Sequence, residues 1–124
     1  MWWITPLFMI LAGIFNSCMD VLRYRYKVSI FNDWNKQDWV NPSLSQKNKW
    51  ESKSKFGDLI MSTILVWVTD MWHFSKMLML TSIMFGIVYY IPITLYWGLD
   101  MIIFFSCFTS VFELFFSKIL IKNN

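Results

Sequence analysis

MLMLTSIMFGIVYYIPITLYWGL, residues 77–99, runs for 23 residues without an Asp, Glu, Lys, Arg or His. That is enough helix to cross a bilayer, whose ~30 Å hydrocarbon core takes about 20 helical residues. Residues 1–19 form another charge-free run. A third apolar stretch, residues 101–121, reaches spanning length only by carrying Glu113, which is tolerated near an interface or turned toward a polar partner.

The rest of the composition agrees with lipid as the solvent. The chain has 124 residues, of which 56% are hydrophobic and 15% charged, with 8 Trp and 12 Phe. A water-soluble domain of that size does not carry so much apolar surface. The expected fold is therefore all-α: a polytopic helical membrane protein with three transmembrane helices, an interfacial helical extension and one polar insert. The first run reads as a retained helix and not as a cleaved signal peptide. It lacks a basic leading segment, and Asn16-Ser17-Cys18 offers no small-x-small cleavage pattern. Cys18 and Cys107 lie in separate apolar runs without metal-ligand spacing and read as small buried hydrophobes.

The insert, residues 23–58, holds eight of the eleven basic residues: Arg23, Arg25, Lys27, Lys36, Lys47, Lys49, Lys53 and Lys55. Basic segments flanking a span stay on the cytoplasmic side. The expected orientation in a cell inner (cytoplasmic) membrane is thus N-terminus outside and insert inside. A four-span threading would leave Lys76, Lys118 and Lys122 against this rule. A three-span threading keeps them inside and gives four segments: a first transmembrane helix over 1–22, the basic, Trp-containing insert over 23–58, an interfacial helix continuing into the second span over 59–97, and a third span over 98–124 with a cytoplasmic C-terminus. Pro92 is expected to kink the second span. The residues Trp97-Gly98-Leu99-Asp100 are expected to turn the chain back. Asn41-Pro42-Ser43 marks a turn in the insert, because Pro disfavours a helical conformation at Asn41. Trp34, Trp39 and Trp50 around it suggest an insert that folds back onto headgroups or a partner.

This threading brings Asp20, Asp70, His73, Lys76, Glu113 and Lys118 to one depth, with Asn16 one turn above Asp20. Charges near lipid turn toward one another or toward the interface, so these residues are expected to form a polar cluster. Its plainest role is structural, with His73 bonded to Asp20 or Asp70 and Lys76 paired with Glu113 or extended to the interface. Its chemical role, if it has one, rests on Asp20, Asp70, His73 and Lys76 as catalytic candidates. Asp20, Asp70, His73 and Glu113 are the candidate ligands of a divalent metal, since bundles build carboxylate–histidine sites from facing helices. No phosphate-binding loop, dinucleotide fingerprint, nucleophile elbow or zinc-protease motif is present. Anionic headgroups account for the basic insert without nucleic acid.

The functional expectation is a small integral membrane protein that acts as an interaction or accessory subunit. Its surroundings are the lipid bilayer, and its partner is a membrane protein or a second copy. No cofactor is called for beyond the metal just named. The alternatives are a metal-assisted hydrolase embedded at the cluster and a small pore of the holin kind.

The strings FNSCMDVLRYRYKVSIF, WVNPSLSQKNKW and TDMWHFSK resemble a family of short bacterial and bacteriophage integral membrane proteins of unknown function. The resemblance rests on Asn16 and Asp20; on Trp39, Asn41 and Pro42 with Asn48, Lys49 and Trp50; and on Thr69, Asp70, Trp72 and His73. It covers residues 15–76. It implies that these polar positions act together and brings no activity with it.

Overall fold

Helix α1 (Ile4–Tyr24) carries a buried face of small residues, Thr5, Ala12, Gly13 and Ser17, and this makes it the centre of the fold. The computed structural model describes residues 1–45 and 55–122, so Trp50 and the lysines at 47, 49 and 53 lie outside the described residues. Two other long helices, α5 (Met71–Val88) and α6 (Trp97–Leu114), both pack on α1. With a five-residue π-helical continuation, Phe115–Ile119, the last helix reaches 23 residues. All three are long and apolar enough to cross a membrane, as expected of a multi-pass membrane protein. Met101, Ile102 and Phe105 stand exposed on α6, an arrangement suited to hydrocarbon.

The contacts fix the directions. Thr5, near the start of α1, donates its hydroxyl to the carbonyl of Gly86, near the end of α5, at 3.2 Å, so these two helices are antiparallel. Val21 and Leu22, near the end of α1, share a core with Leu120 beyond α6, so α1 and α6 run the same way. The chain passes up, down and up, as the three-span threading requires.

Small residues permit the close approaches. A Cβ built on Gly13 would lie 2.6 Å from the carbonyl oxygen of Phe108, and one on Gly86 would lie 2.7 Å from the terminal methyl of Met9. Ser75 and Ser82 are also buried on α5, and Ser82 returns its hydroxyl to the carbonyl of Leu78 at 2.8 Å. Such residues let helix backbones meet closely, which in lipid supplies the packing that the hydrophobic effect does not.

The second half departs from the expected segments in three places. The helix expected over 59–97 is broken into α3 (Lys55–Thr63), α4 (Val66–Thr69) and α5. The last break is at Asp70, whose backbone is extended and whose carboxylate caps α5 by accepting from the N–H of His73. The span starts at Met71 for that reason. It also ends at Val88, so Pro92 lies in the connection and kinks no helix. Trp97 to Asp100, expected as a turn, form the first turn of α6.

The insert folds onto the ends of the helices. Two 3-10 turns, Tyr26–Val28 and Ile30–Asp33, precede the short helix α2 (Gln37–Val40). Phe31 and Val40 join Val21, Leu22 and Leu120 in a buried cluster. The C-terminal segment clasps the insert: the N–H of Ile30 donates to Leu120 at 3.0 Å, the N–H of Lys122 donates to Val28 at 2.9 Å, and the Lys122 amine meets Asp33 at 2.6 Å. Trp39 packs near Phe74 and donates its indole N–H to the carbonyl of Val68 at 3.1 Å. It is therefore bound to the helix ends of its own chain.

A glycine series tests the packing. Gly13→Ala is expected to cost about 1–3 kcal/mol, because a backbone carbonyl cannot move without displacing a helix. Gly86→Ala is expected to cost less, since the end of Met9 can swing away, and Gly98→Ala, which meets nothing within 4 Å, is expected to cost least. Denaturation in mild detergent measures all three, and a reversed order would refute the packing account.

Candidate functional site

The insert end of the bundle carries a polar pocket of about 460 Å³, walled by Arg23, Pro42, Ser45, Asp70, Trp72 and His73. Each wall has a local origin. Asp70 and His73 are three apart at the start of α5, so a carboxylate that caps the helix also lies beside the imidazole. Its Oδ1 accepts from the His73 backbone N–H at 2.9 Å, and its Oδ2 lies 2.7 Å from His73 Nδ1. The Thr69 hydroxyl adds a third contact at 3.3 Å. Asp70 is thus buried with its oxygens occupied, while the His73 side chain stays 30% exposed. With Nδ1 bonded to the carboxylate, Nε2 is the ring nitrogen left without a hydrogen bond among the described residues.

The opposite wall comes from the insert. Asn41 is extended, and its side-chain oxygen accepts from the N–H of Ser43 at 3.0 Å. Its backbone carbonyl accepts from the N–H of Ser45 at 2.9 Å, closing one helical turn that begins at Pro42. This turn presents Pro42 and the buried Ser45 to the pocket. Arg23, exposed near the end of α1, completes the wall, with its guanidinium 5.2 Å from the ring of Tyr24. It makes no ion pair of 4 Å or less among the described residues. Arg23 also borders a second pocket of about 470 Å³ with Arg25, Lys27, Asn41 and Ser43. Beside it, burial raises the Tyr26 phenol above its ordinary value, against the hydrogen bond to Gln37 and the nearby Lys122, which lower it.

Of the expected polar cluster, the structure joins Asp70 and His73. Asp20 is half-buried on α1 and interacts electrostatically with Arg23, three residues on. Lys76 is exposed, its amine 5.3 Å from the ring of Trp72. Glu113 accepts a hydrogen bond from Ser117 one turn along its own helix, and Lys118 is exposed. Helix phase explains the scatter: residues at one depth still point to different sides of their helices. Among the described residues no three of His, Cys, Asp and Glu come together as a metal site, so Asp20 and Glu113 do not join Asp70 and His73. Cys18 and Cys107 are both free and partly buried.

Four members of the pocket, Arg23, Pro42, Ser45 and Trp72, lie outside the candidate set. Arg23 had a signal, a cation three residues after Asp20 at the end of a span. Ser45 had none, because its place depends on how the insert docks.

At the far end of the bundle, Asp100 is fully buried. It accepts from the Tyr90 hydroxyl at 2.7 Å, from the N–H of Ile93 at 3.1 Å and from the N–H of Thr94 at 2.8 Å. These bonds replace the acceptors that residues 93 and 94 lose when the chain leaves α5. The bond to Asp100, helped by burial and the nearby charge, raises the Tyr90 phenol. An apolar cleft of about 490 Å³ opens beside Tyr90, between Thr5, Gly86 and Phe104.

Comparison of the chain with protein-family models, curated proteins and solved structures finds no match.

The two aspartates are expected to separate on substitution. Asp70→Ala should lower stability by about 1 kcal/mol through loss of the cap, and Asp70→Asn by less, because an amide oxygen still accepts from His73. Asp100→Ala should speed amide exchange at Ile93 and Thr94 while leaving His73 protected. Hydrogen exchange in detergent checks both, and equal loosening at the two ends in either variant would contradict the assignment.

Proposed function

We infer that this chain is a small multi-pass membrane protein acting as an interaction or accessory subunit, with recognition at the pocket walled by Arg23, Pro42, Ser45, Asp70, Trp72 and His73. The observation that carries this reading is the docking of the insert. Its described residues are folded down by the Ile30–Leu120, Lys122–Val28 and Trp39–Val68 hydrogen bonds, so the helix ends support a shaped polar cavity. A loop that only neutralised headgroups would need no such clasp.

The charge distribution supports a cytoplasmic placement for the pocket, with the N-terminus outside and the C-terminus inside an inner membrane. A bacterial or phage setting rests on the resemblance carried by Asn16, Asp20, Trp39, Asn41, Pro42, Asp70 and His73. The partner in this reading is a membrane component that reaches the insert end, whether another protein or a second copy.

One observation favours a second reading, acid–base chemistry in the same pocket. Asp70 orients His73 through Nδ1, as a general base requires, and His73 Nε2 makes no hydrogen bond among the described residues. A metal-assisted version would need a further ligand from outside the described residues.

A photoreactive side chain placed at Ser43, exposed beside Pro42, is expected to give one discrete adduct in cells. The same group at Ile102, exposed on α6, serves as the lipid-facing control. Equal, heterogeneous labelling at both positions would sink the recognition reading. His73→Gln keeps a polar side chain and removes the base, so an adduct that persists in it belongs to binding and not to catalysis.

A further inference from the structure

The recognition reading leaves the ligand's chemistry open, and the pocket's own atoms narrow it. Helix α1 has 21 residues, roughly 31 Å at 1.5 Å rise each, so its two ends fall near the two edges of a hydrocarbon core of ~30 Å. Arg23 is one residue from the end of that helix. The pocket therefore lies at the level of lipid headgroups.

Its wall sets the Arg23 cation near the Ser45 hydroxyl, which donates to the carbonyl of Pro42 at 3.4 Å. The Arg23 guanidinium borders two adjoining cavities and, beside its electrostatic interaction with Asp20, makes no ion pair of 4 Å or less among the described residues. Arg25 and Lys27 line the neighbouring cavity, and Arg25 also lies 4.3 Å from the ring centroid of Phe116. The one carboxylate in the wall, Asp70, has both oxygens engaged by the backbone N–H and ring Nδ1 of His73. With Nδ1 so engaged, the other ring nitrogen, Nε2, makes no hydrogen bond among the described residues. Trp72 supplies an apolar edge beside these groups. A guanidinium fork at the junction of two cavities, with Arg25 and Lys27 in the second, suits a tetrahedral oxyanion, and planar guanidinium binds phosphate in two-pronged fashion.

We propose that the cavity between Arg23, Ser45 and His73 binds the phosphate of an anionic lipid headgroup. Arg23 holds two phosphate oxygens, and the His73 ring borders the headgroup on the other side. This rests on the recognition reading and adds a lipid ligand beside its protein partner.

The test is native mass spectrometry of the full chain, extracted in mild detergent and supplied with phosphatidic acid, phosphatidylglycerol or phosphatidylcholine. One retained phosphatidic acid or phosphatidylglycerol per chain is expected, with phosphatidylcholine lost. Arg23→Gln should reduce retention about tenfold, the size of one charge-assisted contact. Arg23→Lys should restore part of it, and Lys118→Gln, which removes an exposed charge away from the pocket, should leave it unchanged. Circular dichroism confirms that each variant keeps its helices. Glycerol 3-phosphate distinguishes the sources of the phosphate: displacement of lipid shows that a soluble phosphate also fits, and its failure shows that the acyl chains are required. Equal retention of phosphatidylcholine, or equal losses in Arg23→Gln and Lys118→Gln, would overturn the proposal in favour of diffuse surface charge. The photoadduct at Ser43 is read separately, so a discrete protein adduct without lipid selectivity would reject the phosphate and keep the recognition reading.

Discussion

Apolar side chains gain little by leaving hydrocarbon for one another, so three helices in lipid depend on how closely their backbones approach. In this chain that constraint falls on α1. Gly13 lies under the carbonyl of Phe108, Gly86 lies over Met9, and Thr5 reaches the Gly86 carbonyl. With α1 touching both neighbours, α5 and α6 can each expose a largely apolar surface. The small residues are few, but they lie on the faces where the helices meet.

The ends of the helices are governed by a different requirement, the satisfaction of backbone donors. Two aspartates meet it at opposite ends of the bundle. Asp70 starts α5 by accepting from His73, and Asp100, inside the first turn of α6, gathers two N–H groups and a hydroxyl from the preceding connection. A carboxylate provides several acceptor sites on two oxygens, which suits it to places where the chain stops being helical. These bonds set the helix boundaries more firmly than hydropathy does. They explain why an apolar run that reads as one span from residue 77 to 97 is divided at Val88.

At the insert end the same capping bond serves the pocket. Asp70 fixes the imidazole of His73 because both belong to the first turn of α5, while Arg23 and Ser45 arrive from other elements. The 42–45 turn follows α2, which is fixed by Val40 in the buried cluster and by Trp39 on the Val68 carbonyl, while residues 120–122 clasp the part of the insert before it. Recognition at this place would then depend on contacts remote from the pocket, including the Lys122–Asp33 pair.

Charge-free length determined three helices able to span, because a bilayer admits few other solutions for such runs. The Asp70–His73 proximity was equally legible, since residues three apart at a helix start face each other. Tertiary structure alone decided which of the other polar residues meet. Glu113 and Asp20 share a depth with His73 on paper, yet each belongs to a helix whose rotation is set by packing at Gly13 and Gly86, and depth carries no information about rotation. Asp100 shows the same limit: four residues from Tyr96, it reads from sequence as the end of a turn that reverses the chain. Only the fold revealed that its carboxylate closes the connection from inside.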